Sequence, residues 1–482
     1  MKKQQNSGPM MNERYFLLPF RFRHLAGREL LVNEVGDFLV VPAGTVARIV
    51  GRQIRPTEEL YKDLIAAFFI SESLIPEWLD LYAVRLRTRK AFLNEFTSLH
   101  IFVLTLRCNQ NCIYCQASSQ KQDAVGYDMP EVVLLYSIDL MFQSPAAALT
   151  MEFQGGEPSL VPELFRLAVE TAERRKVECG KQITYVLCTN CVELSAEVLE
   201  ICRQYHVLIS TSLDGPENLH NHNRGREDSY SRVTTGIARA REWLGEDRVS
   251  ALMTAAPASL TKPHEIIDTY LELGFHSVFL RSLNPYGVAM QNLDWTEYGE
   301  RFIAFYRKAL DYIISLNRNG TVLVEELTLL FLRRILTPFS DGFVDLRSPS
   351  GLMSGVAVYH CDGYVYASDE SRMLAACGDF QFRIGPVSES YEKLFHGIQV
   401  QDLADVNTVE GIAGCSDCAF QAYCGADPVR NYAVQQDRYG YRPASEVCKK
   451  CTAIIEHLFS LIIEREEEVM PVFRRWLAEW NG

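Results

Sequence analysis

Cys108-Asn109-Gln110-Asn111-Cys112-Ile113-Tyr114-Cys115 is the stretch whose reading decides the rest of the chain. Three cysteines stand at C-x3-C-x2-C spacing, directly after the apolar run Leu99 to Leu106. The run predicts a buried strand, and the loop at the end of such a strand is where an α/β enzyme places its chemistry. Thiolate is the ligand that iron–sulfur clusters prefer, so the three cysteines suit three irons of a four-iron cluster. The fourth iron is then open to a small molecule. The competing reading is a zinc site or three unrelated buried thiols. Zinc favours four ligands in paired C-x2-C units, and no fourth Cys or His joins this stretch.

Outward from the loop, residues 99–287 alternate strand and helix patterns. Strands are expected at Leu99 to Leu106, Leu149 to Gln154, Ile183 to Leu187, Val207 to Leu213, Val249 to Ala255 and Ser277 to Arg281. Amphipathic helices are expected near Pro130 to Phe142, Pro162 to Glu173, Ser195 to Tyr205, Ser231 to Trp243 and Pro263 to Leu273. Such alternation means right-handed βαβ units and a parallel sheet. Six units are too few to close an eight-stranded barrel, so the fold class is α/β with a partial (β/α)6 barrel, open on one side to a large substrate.

Upstream, Leu30 to Val41 reads as a hairpin whose turn, Glu34 to Asp37, uses Gly36 for its permissive backbone. Helical stretches follow at Gly44 to Val50 and Thr57 to Phe69. A hairpin with short helices is similar to peptide-recognition domains, which add a peptide as an edge strand; a packing cap over the barrel is the plainer alternative. Downstream, residues 296–335 look helical. Residues 355–451 hold short turns, few long apolar runs and seven cysteines, a composition that calls for a metal staple. Thr452 to Trp480 reads as one long amphipathic helix or a helix pair. The expected domains are 11–95, 96–335 and 336–482.

Composition bounds the function. The chain has 482 residues, 14 cysteines and a formal net charge of −13. Cysteines in a cytosolic chain point to metal rather than disulfides. The acidic balance argues against a nucleic-acid partner. The densest basic segment, Arg85 to Lys90, is expected to be a solvated linker face. No apolar run reaches the roughly 18 residues of a membrane span, and Met1 to Pro9 lacks the apolar core of a signal peptide. The expected compartment is the cytoplasm, with no membrane partner.

Polar groups stand at the end of each expected strand. Gln154-Gly155-Gly156-Glu157-Pro158 follows the second, where paired glycines let the backbone approach a ligand. Thr189-Asn190-Cys191 follows the third; Cys188 and Cys191 are read as buried thiols in preference to a metal pair. Ser212-Leu213-Asp214-Gly215-Pro216-Glu217-Asn218-Leu219-His220 and then Arg224 follow the fourth. Arg224 carries a planar fork of donors suited to a carboxylate. Asp214 either lines the site or fixes the turn, and His220 is read as a loop-orienting group rather than a base. Arg281 and Asn284 end the sixth strand on the same face.

The cysteine loop with these motifs resembles the radical S-adenosylmethionine (SAM) enzymes. The resemblance implies a four-iron cluster on Cys108, Cys112 and Cys115 whose open iron chelates SAM. It implies that Gly155, Gly156 and Glu157 hold the SAM amino group, that Ser212, Asp214 and Arg224 serve its carboxylate, and that Tyr114 packs near the adenine. The SxDGPxxxH…R segment is similar to that of the anaerobic sulfatase-maturase group. Reductive cleavage of SAM to a 5′-deoxyadenosyl radical, hydrogen abstraction from the substrate, and an electron donor such as flavodoxin or ferredoxin are implied with it.

Cys415, Cys418 and Cys424, followed by Cys448 and Cys451, resemble the SPASM domain, which carries auxiliary iron–sulfur clusters. The resemblance implies one auxiliary four-iron cluster on Cys415, Cys418, Cys424 and Cys448, with Cys451 as the substitute for Cys448; zinc is the alternative metal. Two expected thiols are absent. Gly425-Ala426-Asp427-Pro428 stands where a C-x3-C step is usual, and Asp362-Gly363-Tyr364-Val365-Tyr366-Ala367 leads to Ser368 rather than cysteine. Oxygen ligation by Asp427 is an open alternative. Asp369 matches a candidate general base of the sulfatase maturases; a turn carboxylate paired with Arg372 is the equal alternative.

Leu17-Leu18-Pro19-Phe20-Arg21-Phe22, Leu31-Val32-Asn33-Glu34, Ser368-Asp369-Glu370 and Gly425-Ala426-Asp427-Pro428 together resemble the B component of the His-Xaa-Ser system radical SAM maturases. This implies a ribosomally made peptide substrate with His-Xaa-Ser repeats, encoded nearby, and a second radical SAM protein beside it. Other classes are a non-catalytic iron–sulfur scaffold presenting peptide to a partner enzyme, a sulfatase-maturase-like oxidase, and a radical enzyme acting on RNA, which the acidic balance disfavours.

Overall fold

The computed structural model describes residues 15–73, 76–295, 297–339 and 342–479. The polar start of the chain through residue 14, and Trp480, lie outside the described residues.

The N-terminal unit is a three-stranded antiparallel sheet, β1 (Phe20–Leu25), β2 (Arg28–Asn33) and β3 (Phe38–Pro42), with β2 central. The expected hairpin is β2–β3, turning at Gly36 with φ +79°. Helices α1 (Thr45–Val50), α2 (Glu59–Ala66) and α3 (Pro76–Arg89) follow. Strand β2 buries every residue after Arg28, because it is covered on both faces.

The barrel runs β4 (Leu99–Thr105), α4 (Glu131–Phe142), β5 (Ala148–Gly155), α5 (Pro162–Cys179), β6 (Gln182–Thr189), α6 (Ala196–Gln204), β7 (Leu208–Ser212), α7 (Glu217–Arg224), α8 (Ser229–Leu244), β8 (Val249–Ala255), α9 (Pro263–Glu272) and β9 (Ser277–Ser282). Strands β4 to β9 pair in parallel in that order. All six expected strands are present. On β5 the alternation sends Leu149, Met151 and Phe153 into the helical layer, while Thr150, Glu152 and Gln154 are only partly buried. Phe153 meets Phe165 of α5 edge-on, with ring centroids 4.9 Å apart. Burying each such side chain stabilises the fold by about 1.5–3 kcal/mol.

Beyond β9 come α10 (Tyr298–Arg318), β10 (Val324–Glu325), α11 (Glu326–Leu336), β11 (Val356–Tyr359), β12 (Tyr364–Tyr366), α12 (Asp369–Ala376), β13 (Arg383–Pro386), α13 (Pro428–Gln435), α14 (Glu446–Glu464) and α15 (Glu466–Glu479). The sheet extends to ten strands in the linear order β10-β9-β8-β7-β6-β5-β4-β11-β12-β13. Its two ends do not meet, so the barrel is partial. Strand β11 pairs in parallel with β4, placing Val358 beside Ile101. The segment expected to hold only short turns therefore also supplies three strands to the barrel's own sheet. They are short, between three and four residues each, and gave a correspondingly weak periodic signal. The C-terminal helix pair is α14 and α15, as expected.

Arg85 to Lys90 is not a solvated linker. Arg85 and Arg89 lie on α3. Arg85 is paired with Asp37, its guanidinium 4.3 Å from the Phe68 ring centre, and Arg89 donates to the Arg334 carbonyl at 2.7 Å. The basic run ties the N-terminal unit to α11, because a long arginine buries its stem while its donors reach carbonyl oxygens. Tyr423 adds a bond to the Gly36 carbonyl at 3.0 Å, and Phe38 packs edge-on against Phe459 of α14. Among the described residues no helix is long and apolar enough to cross a membrane.

Candidate active site

The C-terminal ends of β4 to β9 surround a cavity of about 230 Å³. Its wall brings together Cys108, Cys112, Tyr114 and Cys115 after β4, Gly155 and Gly156 after β5, Asn190 after β6, Ser212 at the end of β7, Arg224 at the end of α7, and Arg281 on β9. Asp369, at the start of α12, closes the wall with Arg372. Residues more than 250 positions apart thus converge on one chamber: the loops after β4 to β7 leave the sheet at one edge, and α12, which follows the antiparallel β12, brings Asp369 and Arg372 to the same space.

The cysteine loop is held from three sides. The Gln110 amide donates to Ser229 Oγ at 2.6 Å. Ser229 Oγ is 3.0 Å from His220 Nε2, and the Asp214 N–H donates to His220 Nδ1 at 3.2 Å. Nδ1 is therefore the acceptor, and Nε2 carries the proton. Burial holds His220 down to about 4 against the pull of Asp214, so the ring is neutral at neutral pH, an orienting group rather than a base. Asn190 Nδ2 donates to Asn109 Oδ1 at 2.7 Å and approaches Cys108 Sγ at 3.9 Å.

Asp214 and Arg224 form the core of the site's electrostatics. Asp214 is fully buried. Arg224 Nε and Nη2 reach its two carboxylate oxygens at 3.0 and 2.8 Å, and the Tyr114 hydroxyl donates to it at 2.7 Å. Burial alone would raise the Asp214 carboxyl; Arg224 and then His220 override it and hold it below the usual range. Two prongs of the Arg224 fork are thus spent inside the protein, and Nη1 stands 3.9 Å from Cys112 Sγ. The Tyr114 ring lies 5.4 Å from the guanidinium.

The glycine motif divides its duties. Glu157 is not on the cavity wall. It is fully buried, accepting from Thr189 Oγ1 at 2.6 Å, the Asn190 N–H at 2.7 Å and the Ser159 N–H at 3.0 Å. A carboxylate with three donors binds the β5 and β6 loops together. The glycine pair, in turn, is required by the chain itself. A Cβ on Gly155 would lie 2.0 Å from the Thr105 carbonyl oxygen, and one on Gly156 would lie 2.3 Å from that of Arg107. Only glycine lets the β5 loop press against the entry to the cysteine loop.

The donor set fits an iron–sulfur cluster. Among the described residues no three His, Cys, Asp or Glu converge to grip a single ion; the three thiols instead line a chamber. The Gln110 N–H points at Cys108 Sγ at 3.4 Å and the Ser119 N–H at Cys115 Sγ at 3.5 Å, donors suited to thiolate sulfur. Without metal, burial pushes the Cys108 thiol up to about 12 and the Cys112 thiol up to about 11. Metal binding releases those protons.

Sequence reading missed Glu152 and gave Gln154 no role of its own. They alternate on β5, so the strand period could have placed them on one face. Gln154 Nε2 donates to Glu152 Oε1 at 2.5 Å, the Cys188 thiol stands 3.4 Å from the same oxygen, and Arg372 reaches Gln154 Oε1 at 3.3 Å. Arg372 also donates to Asp369 Oδ1 at 2.8 Å, so Asp369 both faces the cavity and is paired. Cys191 is buried and Cys188 partly so, and Cys202 lies near enough to Cys191 to act on its charge. In the C-terminal segment Cys424 and Cys451 lie close enough to act on one another's charge. Cys448, on α14, is near enough to Cys415 and Cys418 to act on their charge.

Residues 102–279 match the family model of the radical SAM superfamily. A cysteine-type anaerobic sulfatase-maturating enzyme of Clostridium perfringens is 24% identical over 285 residues, 54% of this chain and 71% of that protein. Other curated relatives are matched over 38% to 66% of their own length. Among solved structures, anSMEcpe with bound AdoMet superposes with a TM-score of 0.63 at 19% identity, over 79% of this chain and 98% of that one. Streptococcus suis SuiB bound to precursor peptide SuiA gives a TM-score of 0.51 at 14% identity, over 90% of this chain and all of that one.

Proposed function

We propose that this chain, whose residues 102–279 form a radical SAM domain, is a radical SAM maturase of a ribosomally made peptide with His-Xaa-Ser repeats. The observation that carries the reading is the single chamber shared by the three loop cysteines, Ser212, Arg224 and Asp369. Cys108, Cys112 and Cys115 would hold the cluster, and Gly155, Gly156, Ser212 and Arg224 the cofactor. When bound, the cluster supplies one electron that cleaves SAM to a 5′-deoxyadenosyl radical able to take a hydrogen atom from the peptide. The chain's own residues do the rest. Asp214 and His220 fix the Arg224 fork and the cysteine loop, Arg224 Nη1 adds positive charge beside Cys112, and Asp369 takes the substrate proton.

The auxiliary site is assigned to Cys415, Cys418, Cys424 and Cys448. The N-terminal unit is assigned to peptide recognition. Strand β3 pairs on one side only among the described strands, and a groove of about 710 Å³ runs along its start toward α3 and α11. An extended peptide can add there as a fourth strand.

Anaerobically reconstituted protein is incubated with SAM and dithionite, and 5′-deoxyadenosine release is measured, followed by mass spectrometry of the co-expressed peptide. Deoxyadenosine release with a mass change in the peptide supports the reading. A loaded cluster that never cleaves SAM would make the chain a scaffold and overturn it.

A further inference from the structure

Arg442 opens the short turn that leads into α14, and its side chain runs to the cysteines of the C-terminal segment. Its Nη1 lies 3.8 Å from Cys415 Sγ. Its Nε and Nη2 both donate to the Gly440 carbonyl, at 3.3 and 3.2 Å. Among the described residues it has no carboxylate partner. Two glycines leave it this path. A Cβ on Gly414, directly before Cys415, would lie 3.0 Å from Arg442 Cγ, and one on Gly440 would lie 2.9 Å from Arg442 Nη2. The chain around the guanidinium thus aims it at a thiol, and its charge is not spent on an acid. Arg224 stands in a similar place at the other cysteine site, 3.9 Å from Cys112 Sγ, but two of its prongs are on Asp214.

The thiols beside Arg442 suit a metal centre. Cys418 and Cys448 lie near enough to Cys415 to act on its charge, and Cys415 and Cys418 near enough to Cys424. Thiolates this close repel one another unless a metal is bound among them. The Phe420 N–H donates to Cys418 Sγ at 3.4 Å, so two of the sulfurs face N–H donors. Arg21 Nε, on β1, donates to the Ser416 carbonyl between Cys415 and Cys418 and fixes that loop to the N-terminal unit. Burial raises the Cys415 thiol, and Arg442 is the largest influence against it.

We propose that Arg442 is the positioning residue of the auxiliary site: its Nη1 donates to Cys415 Sγ, holds that sulfur as a thiolate ligand and raises the reduction potential of the four-iron cluster bound there. The proposal rests on the assignment of that cluster to Cys415, Cys418, Cys424 and Cys448. Reduction adds one negative charge to the centre. An uncompensated guanidinium at a ligand sulfur favours the more negative state, and an N–H donor to sulfur acts in the same direction.

The test uses full-length protein, reconstituted anaerobically, carrying Arg442→Gln or Arg442→Lys. Iron and zinc are counted. A redox titration with dithionite is followed by electron paramagnetic resonance, with the loop cluster as internal reference. One electron passes from dithionite to the auxiliary cluster, whose net charge falls by one, and no bond to the protein breaks. Arg442→Gln is expected to lower the auxiliary potential by about 59 mV or more, a tenfold change in the one-electron equilibrium, or to lose the auxiliary iron. Arg442→Lys, which keeps the charge, is expected to retain the iron and most of the potential, and the loop cluster is unmoved in both. Full iron with an unchanged potential in Arg442→Gln, equal losses in the Gln and Lys variants, or an equal shift of both clusters overturns the proposal and leaves the auxiliary cluster in place. Unmodified protein with iron for the loop cluster alone, or with zinc on the C-terminal cysteines, overturns the cluster assignment and the proposal with it.

Discussion

Arg224 grips Asp214 with two prongs, at 3.0 and 2.8 Å, and leaves its third nitrogen 3.9 Å from Cys112 Sγ. The pair is buried, with side-chain exposures of 8% and 0%. Removing one partner of such a pair strands the other charge, at a cost of about 3–5 kcal/mol. Asp214→Asn is therefore expected to lower the thermal midpoint and to weaken SAM binding, measured by equilibrium dialysis on the reconstituted protein. The Tyr114→Phe change removes one bond and keeps the pair, so it should cost about 1 kcal/mol.

His220 makes the site acid-sensitive. Its folded pKa, about 4 because of burial, lies below the ordinary value of 6.5. A depressed histidine contributes stability that is full above about pH 6.5 and is lost as pH falls toward 4. His220→Asn keeps an acceptor for the Asp214 N–H but cannot titrate. It should be less stable than the parent at pH 7, by about 1 kcal/mol, and the gap should close and then reverse as pH falls from 6.5 toward 4. Chemical denaturation at stepped pH reads the gap directly; a gap constant over that range contradicts the assignment.

Gly156→Ala should disturb the cysteine loop. The added Cβ would meet carbonyl oxygens of Arg107 and Leu106 at 2.3 and 2.4 Å, and backbone cannot swing aside as a side-chain tip can. A destabilisation of about 1–3 kcal/mol is expected, with lower iron content after reconstitution. Full iron loading with an unchanged midpoint would show that the loop yields freely.

Asp369→Asn separates proton transfer from positioning. The amide still accepts from Arg372, whose Nε lies 2.8 Å from Asp369 Oδ1, but it is no base. Peptide product should fall by about 10²–10⁴-fold while deoxyadenosine release continues. Equal losses of both would make Asp369 a wall residue only.

Cys448→Ser should remove the auxiliary cluster's iron, about four atoms per chain, and leave the loop cluster intact. Cys451→Ser should keep it, since Cys451 lies outside the assigned set. Iron analysis and electron paramagnetic resonance of both variants decide which thiol of α14 is the ligand.

Much of the fold was legible because β4 is buried nearly throughout and the strands after it bury alternate residues, so their apolar positions stand out between amphipathic helices. The edges of the sheet were less so. Strands β11 to β13 are short, and their place beside β4 depends on a pairing more than 250 residues away along the chain. At the site, residue types were legible and their duties were not. Glu157 and Ser212 both read as cofactor contacts, yet only Ser212 lines the cavity.

By itself the sequence determined the chemistry available: thiols at a cluster's spacing, glycines at a strand end, an arginine downstream of an aspartate. The tertiary structure alone decided which of these face the chamber and which are spent holding it. A polar side chain's role is set by whether its partners are water and ligand or other buried groups. That depends on distances through space between Asp214 and Arg224 and between Glu157 and Thr189, neither of which the order of residues contains.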